Sequence, residues 1–334
     1  MGREGIALAG TLIADIGYTI DVYPKKGNLA WLKDAVPHTG GLNNLVIDLA
    51  RMDETLPLKV SGMIGEDDYG NLIRDTLKQY PNIQTDNITR WGRTAVTFAM
   101  TEESSKQRTF FYDPGTTLSY GEEHIDFDRL DARLFHLEYL LLLGRLDEPD
   151  ESYGTRGARV LAEAKRRGME TSVDMVSEEG DRYREVVWPA LQYTDYLVVN
   201  EVEGSGTSGI QMYDEEGILE EKVWEGLEKL ASLGVGKWAV VHSPACGYGL
   251  DCRTGERVKV PSFSLPKGYI QGTTGAGDAF CAGVLYTAYK DGSLAEALYT
   301  GALCAAHSLS RPDSNSGVEP LSQMQERARK EWEA

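Results

Sequence analysis

Gly272-Thr273-Thr274-Gly275-Ala276-Gly277-Asp278-Ala279-Phe280 runs straight into an apolar helical stretch. Glycine at the mouth of a helix leaves N–H groups free to point at an anion, and the helix dipole adds partial positive charge, so the stretch suits phosphate. A carboxylate in the first turn of such a helix can take a proton from a hydroxyl that attacks the phosphate, which makes Asp278 a candidate general base. The helix N-terminus is expected to keep that carboxyl ionised. Gly275 to Gly277 alone would read as an ordinary tight turn; the Asp and the helix that follow give it chemistry.

Outward from this turn the chain alternates. Short apolar or β-branched runs (Ile6 to Gly10, Val60 to Ile64, Leu134 to Leu137, Thr171 to Asp174, Tyr196 to Asn200, Trp238 to His242) are separated by helical patterns. The latter cover Asn43 to Met52, Tyr69 to Tyr80, Gly154 to Arg167, Asp181 to Leu191, Leu219 to Leu233 and Ala276 to Lys290. The alternation predicts a three-layer α/β/α fold around a mainly parallel sheet, with ligands at the C-terminal strand ends. Two stretches break the rhythm: the hairpin Thr94 to Met100 with Arg108 to Phe111, and the extended piece Ile16 to Tyr23. They predict one domain over 1–334 carrying a small β-sheet lid, built from inserted segments at about 16–36 and 92–113. Asp313 to Gly317 reads as a loop before a charged terminal helix.

The bulk properties exclude several function classes. The 334 residues carry a formal net charge of -18, which argues against nonspecific nucleic-acid binding, since that requires a basic surface. Hydrophobic content is 41% and mean hydropathy -0.35, and no run reaches the roughly 18 apolar residues of a membrane span. The sparse cysteines Cys246, Cys252, Cys281 and Cys304 lack zinc-type spacing and read as reduced thiols. Met1 to Gly10 turns polar too soon for a signal peptide, so the expected location is cytoplasmic.

No Gly-x-x-x-x-Gly-Lys-Ser/Thr loop occurs, no Gly-x-Gly-x-x-Gly follows the first strand, and there is no His-Glu-x-x-His. Gly-Ala-Gly-Asp before a helix, late in an alternating chain, resembles instead the ribokinase-like (PfkB) carbohydrate kinase family. Other segments agree in order: Gly10 to Asp15, Thr39-Gly40-Gly41-Leu42-Asn43-Asn44, Gly62 to Gly70, Leu137-Glu138 and Asn200-Glu201-Val202-Glu203. The resemblance implies transfer of the γ-phosphoryl of ATP to a sugar-type alcohol. Asp278 would be the base, with the N–H groups of Gly275, Ala276 and Gly277 as an anion hole. Asp15, Gly40, Gly41, Asn44 and Glu138 would hold the substrate. Asn200, Ser243, Gly247, Thr274, Gly275, Gly277, Cys304 and His307 would hold the nucleotide, and Glu203 would act on Mg2+ through water.

Read without the resemblance, some of these residues keep a second meaning. Asn200 and Glu203 are equally a helix-capping pair, and Asp15 a turn cap. Gly62 to Gly70 reads as a strand-to-helix turn with Asp67 or Asp68 as N-cap. Glu138, amid leucines, needs a partner or a cleft. Arg108 and Lys106 read as solvated hairpin charges, with contact to the substrate as the lesser alternative.

The departures from the family pattern are Gly272 where Asp is usual, Pro244 in the nucleotide turn, and Ala302 where Asn is common. Gly272 leaves dependence on a monovalent cation open. Tyr112 is followed by Asp113, where acid-sugar kinases of this family tend to place Arg, and the pocket is rich in acceptors. That composition points to a neutral sugar. A nucleoside kinase, with Tyr18, Tyr23 or Phe98 stacking on a base, and a noncatalytic sugar or nucleotide sensor are the alternatives. Small exposed sheets also offer edges at which two chains can pair into a homodimer.

Overall fold

Every residue of Ile6–Gly10 is buried, as a strand covered on both faces must be. The computed structural model describes residues 2–105 and 107–332, and Lys106 lies outside them. Ile6–Gly10 pairs in parallel with Leu58–Ile64 on one side and Leu134–Leu140 on the other. The sheet continues in parallel through Ile83–Arg90 at one edge, and through Glu170–Met175, Tyr196–Asn200 and Trp238–His242 toward the other. Cys246–Asp251 and Arg257–Pro261 close that second edge antiparallel, giving nine strands.

Side-chain alternation splits the core into two layers. Ile6, Leu8 and Val240 meet helices Leu42–Met52, Ala276–Tyr289 and Leu294–Ser308 on one face. Ala7, Ala9 and Val241 meet helices Arg156–Arg166 and Glu220–Ser232 on the other. The three-layer arrangement is therefore the predicted one. Helices Ala276–Tyr289 and Leu294–Ser308 cross closely: a Cβ on Gly283 would lie 2.6 Å from the backbone of Thr300 and Gly301.

Some elements carried too little pattern to be read in advance. The edge strands Ile83–Arg90 and Arg257–Pro261 bury few side chains. Helix Glu201–Ser208 is rich in Gly and Ser and owes its start to its cap. The predicted helix over Asp181 to Leu191 is a wide turn, Tyr183–Val187, running into a short helix, Trp188–Leu191.

A second, four-stranded sheet stands off the body in the order Leu32–Gly41, Leu12–Ile20, Ala95–Glu102, Arg108–Asp113. Only Thr11 separates Leu12–Ile20 from the central strand Ile6–Gly10. Leu32–Gly41 returns directly into helix Leu42–Met52 through Gly41, whose φ of 61° suits glycine. Asp67 caps helix Asp68–Leu77 by accepting from Gly70 N–H at 2.8 Å, and also accepts from Thr94 N–H at 2.8 Å. The Gly62 to Gly70 turn thus anchors the entry to the small sheet. Among the described residues no helix is long and apolar enough to cross a membrane, and all four cysteines are free.

Candidate active site

Helix Ala276–Tyr289 starts at Gly275, in the left-handed region at φ 81°. A Cβ there would lie 2.2 Å from the Ser314 carbonyl oxygen, so glycine is required twice over. The first backbone N–H of the helix to find an acceptor is that of Ala279, on Gly275 O at 2.9 Å. Those of Ala276, Gly277 and Asp278 are the free donors of a helix N-terminus. Asp278 sits among them. Its Oδ2 accepts from Asn44 Nδ2 at 2.8 Å, and its Oδ1 from the Tyr139 hydroxyl. Burial raises the Asp278 carboxyl above the usual carboxylate range, and these two donors partly offset it. The expectation of a carboxyl held ionised by the helix dipole is therefore opposed by desolvation, and a raised carboxyl is the better base.

Asn44 ties this point to the rest of the chain. Its Oδ1 accepts from Ser314 Oγ at 2.8 Å and Asn315 Nδ2 at 3.2 Å. Ser314 Oγ also lies 3.3 Å from Thr39 O. The loop over 313–317, predicted only as a connection, therefore presses on Gly275 and fixes Asn44.

Asp15 lies across the cleft on the small sheet. Its carboxylate packs on Gly40, where a Cβ would lie 2.0 Å away. A Cβ on Gly41 would meet the Thr11 carbonyl oxygen at 2.4 Å. The two glycines thus let the acid and the chain crossing come together. Burial raises Asp15 to about 6; the Thr97 hydroxyl opposes this and the charge of Asp278 adds to it. Ala14, Ile16 and Val96 form a small core with Tyr18 and Phe98. By strand alternation these face away from Asp15 and Thr97. Tyr18 and Phe98 stack on each other, with ring centroids 6.4 Å apart.

Glu138 does not open onto the cleft as a strand-end carboxylate was expected to. It is fully buried, with Oε2 3.0 Å from His136 Nε2, while His136 Nδ1 lies 3.1 Å from Ser172 Oγ. Its Oε1 has no partner. Burial pushes Glu138 well above the usual range, reinforced by Asp278 and Asp174, and holds His136 down at about 3, hence neutral. It is the next residue, Tyr139, that reaches Asp278.

Asn200 and Glu203 form the capping box that their spacing allowed: Asn200 Oδ1 accepts from the N–H of Val202 and Glu203, and Glu203 Oε2 accepts from Asn200 N–H, each at 2.9 Å. Yet the pair is also part of the cleft. Burial raises Glu203 to about 7, and Asp278 adds to this through its charge. Asp174, at the end of its strand, is raised well above the usual range by burial and by Glu203. Among the described residues no three His, Cys, Asp or Glu side chains are arranged to hold a metal alone.

A cavity of about 520 Å³ opens beside the helix start, lined by Asn200, His242, Ser243, Pro244, Ala276 and Gly277 and floored by Phe263, Leu265, Ile270 and Phe280. Helix Leu294–Ser308 and the residue after it contribute Ala302, Ala305, Ala306 and Leu309. Those positions recur at three and four residues and share one face. Cys304 and His307, expected here, lie on the opposite face: Cys304 packs against Met52 Sδ at 3.6 Å, and His307 against Trp332 with ring centroids 4.8 Å apart. Both are fully buried. Gly247 is also displaced from the lining, behind Phe280, whose ring a Cβ would meet at 2.9 Å. Thr274 borders the cavity without lining it; its Oγ1 accepts from Arg108 Nη1 at 2.6 Å.

Tyr139, Asp174, Ser314, Asn315 and Arg108 were therefore not identified as site residues from the sequence. Asp174 carried a signal, as an acid at the end of a predicted strand, and Arg108 one as a hairpin cation.

The chain matches the pfkB family carbohydrate kinases over residues 11–320. It is 27% identical over 290 residues to a protein described as probable fructokinase-6, chloroplastic, of Arabidopsis thaliana, covering 79% of this chain and 69% of that protein. It is 26% identical over 311 residues to an ATP-dependent ribose-1-phosphate kinase of Halopiger xanaduensis, covering 92% and 93%. Its fold superposes with a TM-score of 0.79 on ribokinase of Arabidopsis thaliana complexed with ribose and ATP, at 21% identity and covering 97% and 98% of the two chains. The family match runs along nearly the whole length of the chain, which belongs to the pfkB family of carbohydrate kinases.

Proposed function

We propose that the protein transfers the γ-phosphoryl of ATP to a hydroxyl of a neutral sugar bound between Asp15 and Asp278. The observation that carries this reading is Asp278, a half-buried carboxylate held by Tyr139 and Asn44 at a helix mouth with free N–H groups. The sugar hydroxyl gives its proton to Asp278 as its oxygen bonds to the γ-phosphorus, and the bond to the bridging oxygen breaks to release ADP. The N–H groups of Gly275, Ala276 and Gly277 receive the charge that develops on the phosphoryl oxygens. Asp15, Asn44 and the backbone at Gly40 and Gly41 accept and orient the sugar hydroxyls. The adenine lies in the apolar cavity against Ala302, Ala305 and Ala306, with Asn200 and Ser243 toward the phosphates.

Asp174 and Glu203 are two neighbouring oxygen donors without a third, which fits a hydrated Mg2+ held mainly by phosphate and reached through water. Bound there, the ion would neutralise phosphate charge. A monovalent cation has no carboxylate at Gly272, where a Cβ would lie 2.8 Å from Arg311 O and 2.9 Å from Pro312 O; the mechanism uses none. The small sheet acts as a lid that excludes water. Its exposed Leu32, Val36, Phe110 and Phe111 suit pairing of two lids in a homodimer. Four free thiols suit the cytoplasm.

A neutral sugar is favoured over a nucleoside because Tyr18 and Phe98 face away from Asp15 and stack on each other. ADP release is measured with magnesium ATP and a panel of neutral sugars, nucleosides and acid sugars. Asp278→Asn is expected to lower kcat by about 10²- to 10⁴-fold while ATP still binds. Binding without ADP release would favour a sensor, and an Asp278→Asn variant that keeps most of its turnover would remove Asp278 as the base.

A further inference from the structure

Arg108 begins the outer edge strand of the small sheet, and its side chain crosses the cleft to Thr274, 166 residues away, beside the anion-binding turn. Two other cations in or beside that sheet are paired: Lys33, on its far edge strand, with Glu103, and Arg93, just before Ala95–Glu102, with Asp113 at 2.9 Å. Among the described residues no carboxylate lies within ion-pair distance of Arg108, although the chain carries 52 acids against 34 Lys and Arg. Among those residues its polar partner is a neutral hydroxyl. That uses one of the five N–H donors of a guanidinium, a group shaped to grip two oxygens of an anion at once.

The reaction needs such a group. Asp15 and Asp278 place two carboxyls at the cleft, and a nucleotide triphosphate brings several negative charges beside them. The helix N–H groups are neutral donors, and Arg108 reaches Thr274, beside them, from the small sheet.

We propose that Arg108 is a catalytic residue, carried by the small sheet, whose guanidinium leaves Thr274 on closure and binds the oxygens of the phosphoryl group in flight. The proposal rests on the kinase reading above and adds a role to it. In the transfer Arg108 is neither acid nor base. The proton goes to Asp278, the phosphorus–oxygen bond to ADP breaks as the bond to the sugar forms, and the guanidinium keeps its charge throughout. Its donors match charge spread over the equatorial oxygens better than charge on the bound triphosphate, so it acts on kcat more than on affinity.

Arg108→Ala and Arg108→Lys are compared with wild type in the full chain. Because Arg108 is exposed, the melting temperature is expected to stay unchanged, which separates chemistry from folding. Arg108→Ala is expected to lower kcat for the neutral sugar by roughly 10³-fold, with the ATP dissociation constant within about threefold. Guanidinium ion added to Arg108→Ala should restore part of the rate; Arg108→Lys should fall between, because it keeps the charge without the fork.

A kcat for Arg108→Ala within about threefold of wild type would overturn the proposal. So would a defect confined to KM for acid or phosphorylated sugars, which would make Arg108 a reader of substrate anions. An active wild type beside an equally active Arg108→Ala refutes the role of Arg108 alone. A wild type that turns over no acceptor in the panel refutes the kinase reading, and this proposal with it.

Discussion

Replacing Asp15 by Asn should make the ligand-free protein more stable and the enzyme worse. Burial raises the Asp15 carboxyl from 3.8 to about 6. Two units at about 1.4 kcal/mol each amount to about 3 kcal/mol of ionisation penalty in the folded state at neutral pH. The side chain is not fully enclosed, and water in the cleft reduces this to about 1–2 kcal/mol. The sign follows from the direction of the shift. A carboxyl raised on folding contributes stability that is fully present below its unfolded value and is lost as pH rises through its folded value.

Asn is isosteric and neutral at every pH, can still bond Thr97, and fits the close approach of Gly40. At pH 7.5 Asp15→Asn is therefore expected to melt roughly 2–4 °C higher than wild type. The gap should close as pH falls from about 6 to below 3.8. In the same preparation kcat/KM for the sugar should drop at least about tenfold, since a charged acceptor of a sugar hydroxyl is lost. Melting curves with and without sugar, at pH 7.5 and pH 3.5, test both halves. An Asp15→Asn variant no more stable than wild type at pH 7.5, or one whose advantage persists unchanged at pH 3.5, would refute the electrostatic reasoning. Unchanged kcat/KM would remove Asp15 from the sugar site.

Ala305→Trp intrudes on the cavity of about 520 Å³ and should raise KM for ATP at least about tenfold with little effect on sugar KM. Cys304→Ala, on the opposite helix face, should leave ATP KM within about twofold and cost about 1 kcal/mol of stability in urea unfolding; the reverse pattern would return the adenine site to Cys304. Gly283→Val should cost about 1–3 kcal/mol, because its Cβ would press on the Thr300–Gly301 backbone. It should also lower kcat, since the displaced helix carries Asp278; full activity at normal stability would show that the helix contact relaxes freely.

The parallel core was legible because its strands are continuous apolar runs, buried at nearly every position in Ile6–Gly10 and Trp238–His242. The helix start at Gly275 was legible because glycine, carboxylate and apolar helix each constrain the same short stretch. Edge strands such as Arg257–Pro261 alternate exposed with half-buried positions and resemble loops. Cys304 and His307 rested on the family resemblance alone, whereas the period of Ala302, Ala305, Ala306 and Leu309 marks the helix face that lines the cavity. Tyr139 was not legible, because nothing in Leu137-Glu138-Tyr139 says which side chain turns toward the helix start. Asn44 was identified, but its fixation by Ser314 and Asn315 depends on a long-range closure that no local pattern announces.

That closure bears on when during synthesis the enzyme can become competent. Ser314 bonds Asn44 and presses on Gly275, and Arg51 Nε donates to Val318 O at 2.6 Å. A growing chain can pair its first strands, and even form the Ala276–Tyr289 helix, long before residues 314–318 leave the ribosome. Until they arrive, the amide that orients Asp278 lacks two of its hydrogen-bond donors, and the tight turn lacks the wall that shapes it. Nascent chains halted shortly before Ser314 should therefore contain folded sheet but no aligned site, so the onset of activity marks completion of the fold rather than formation of its core.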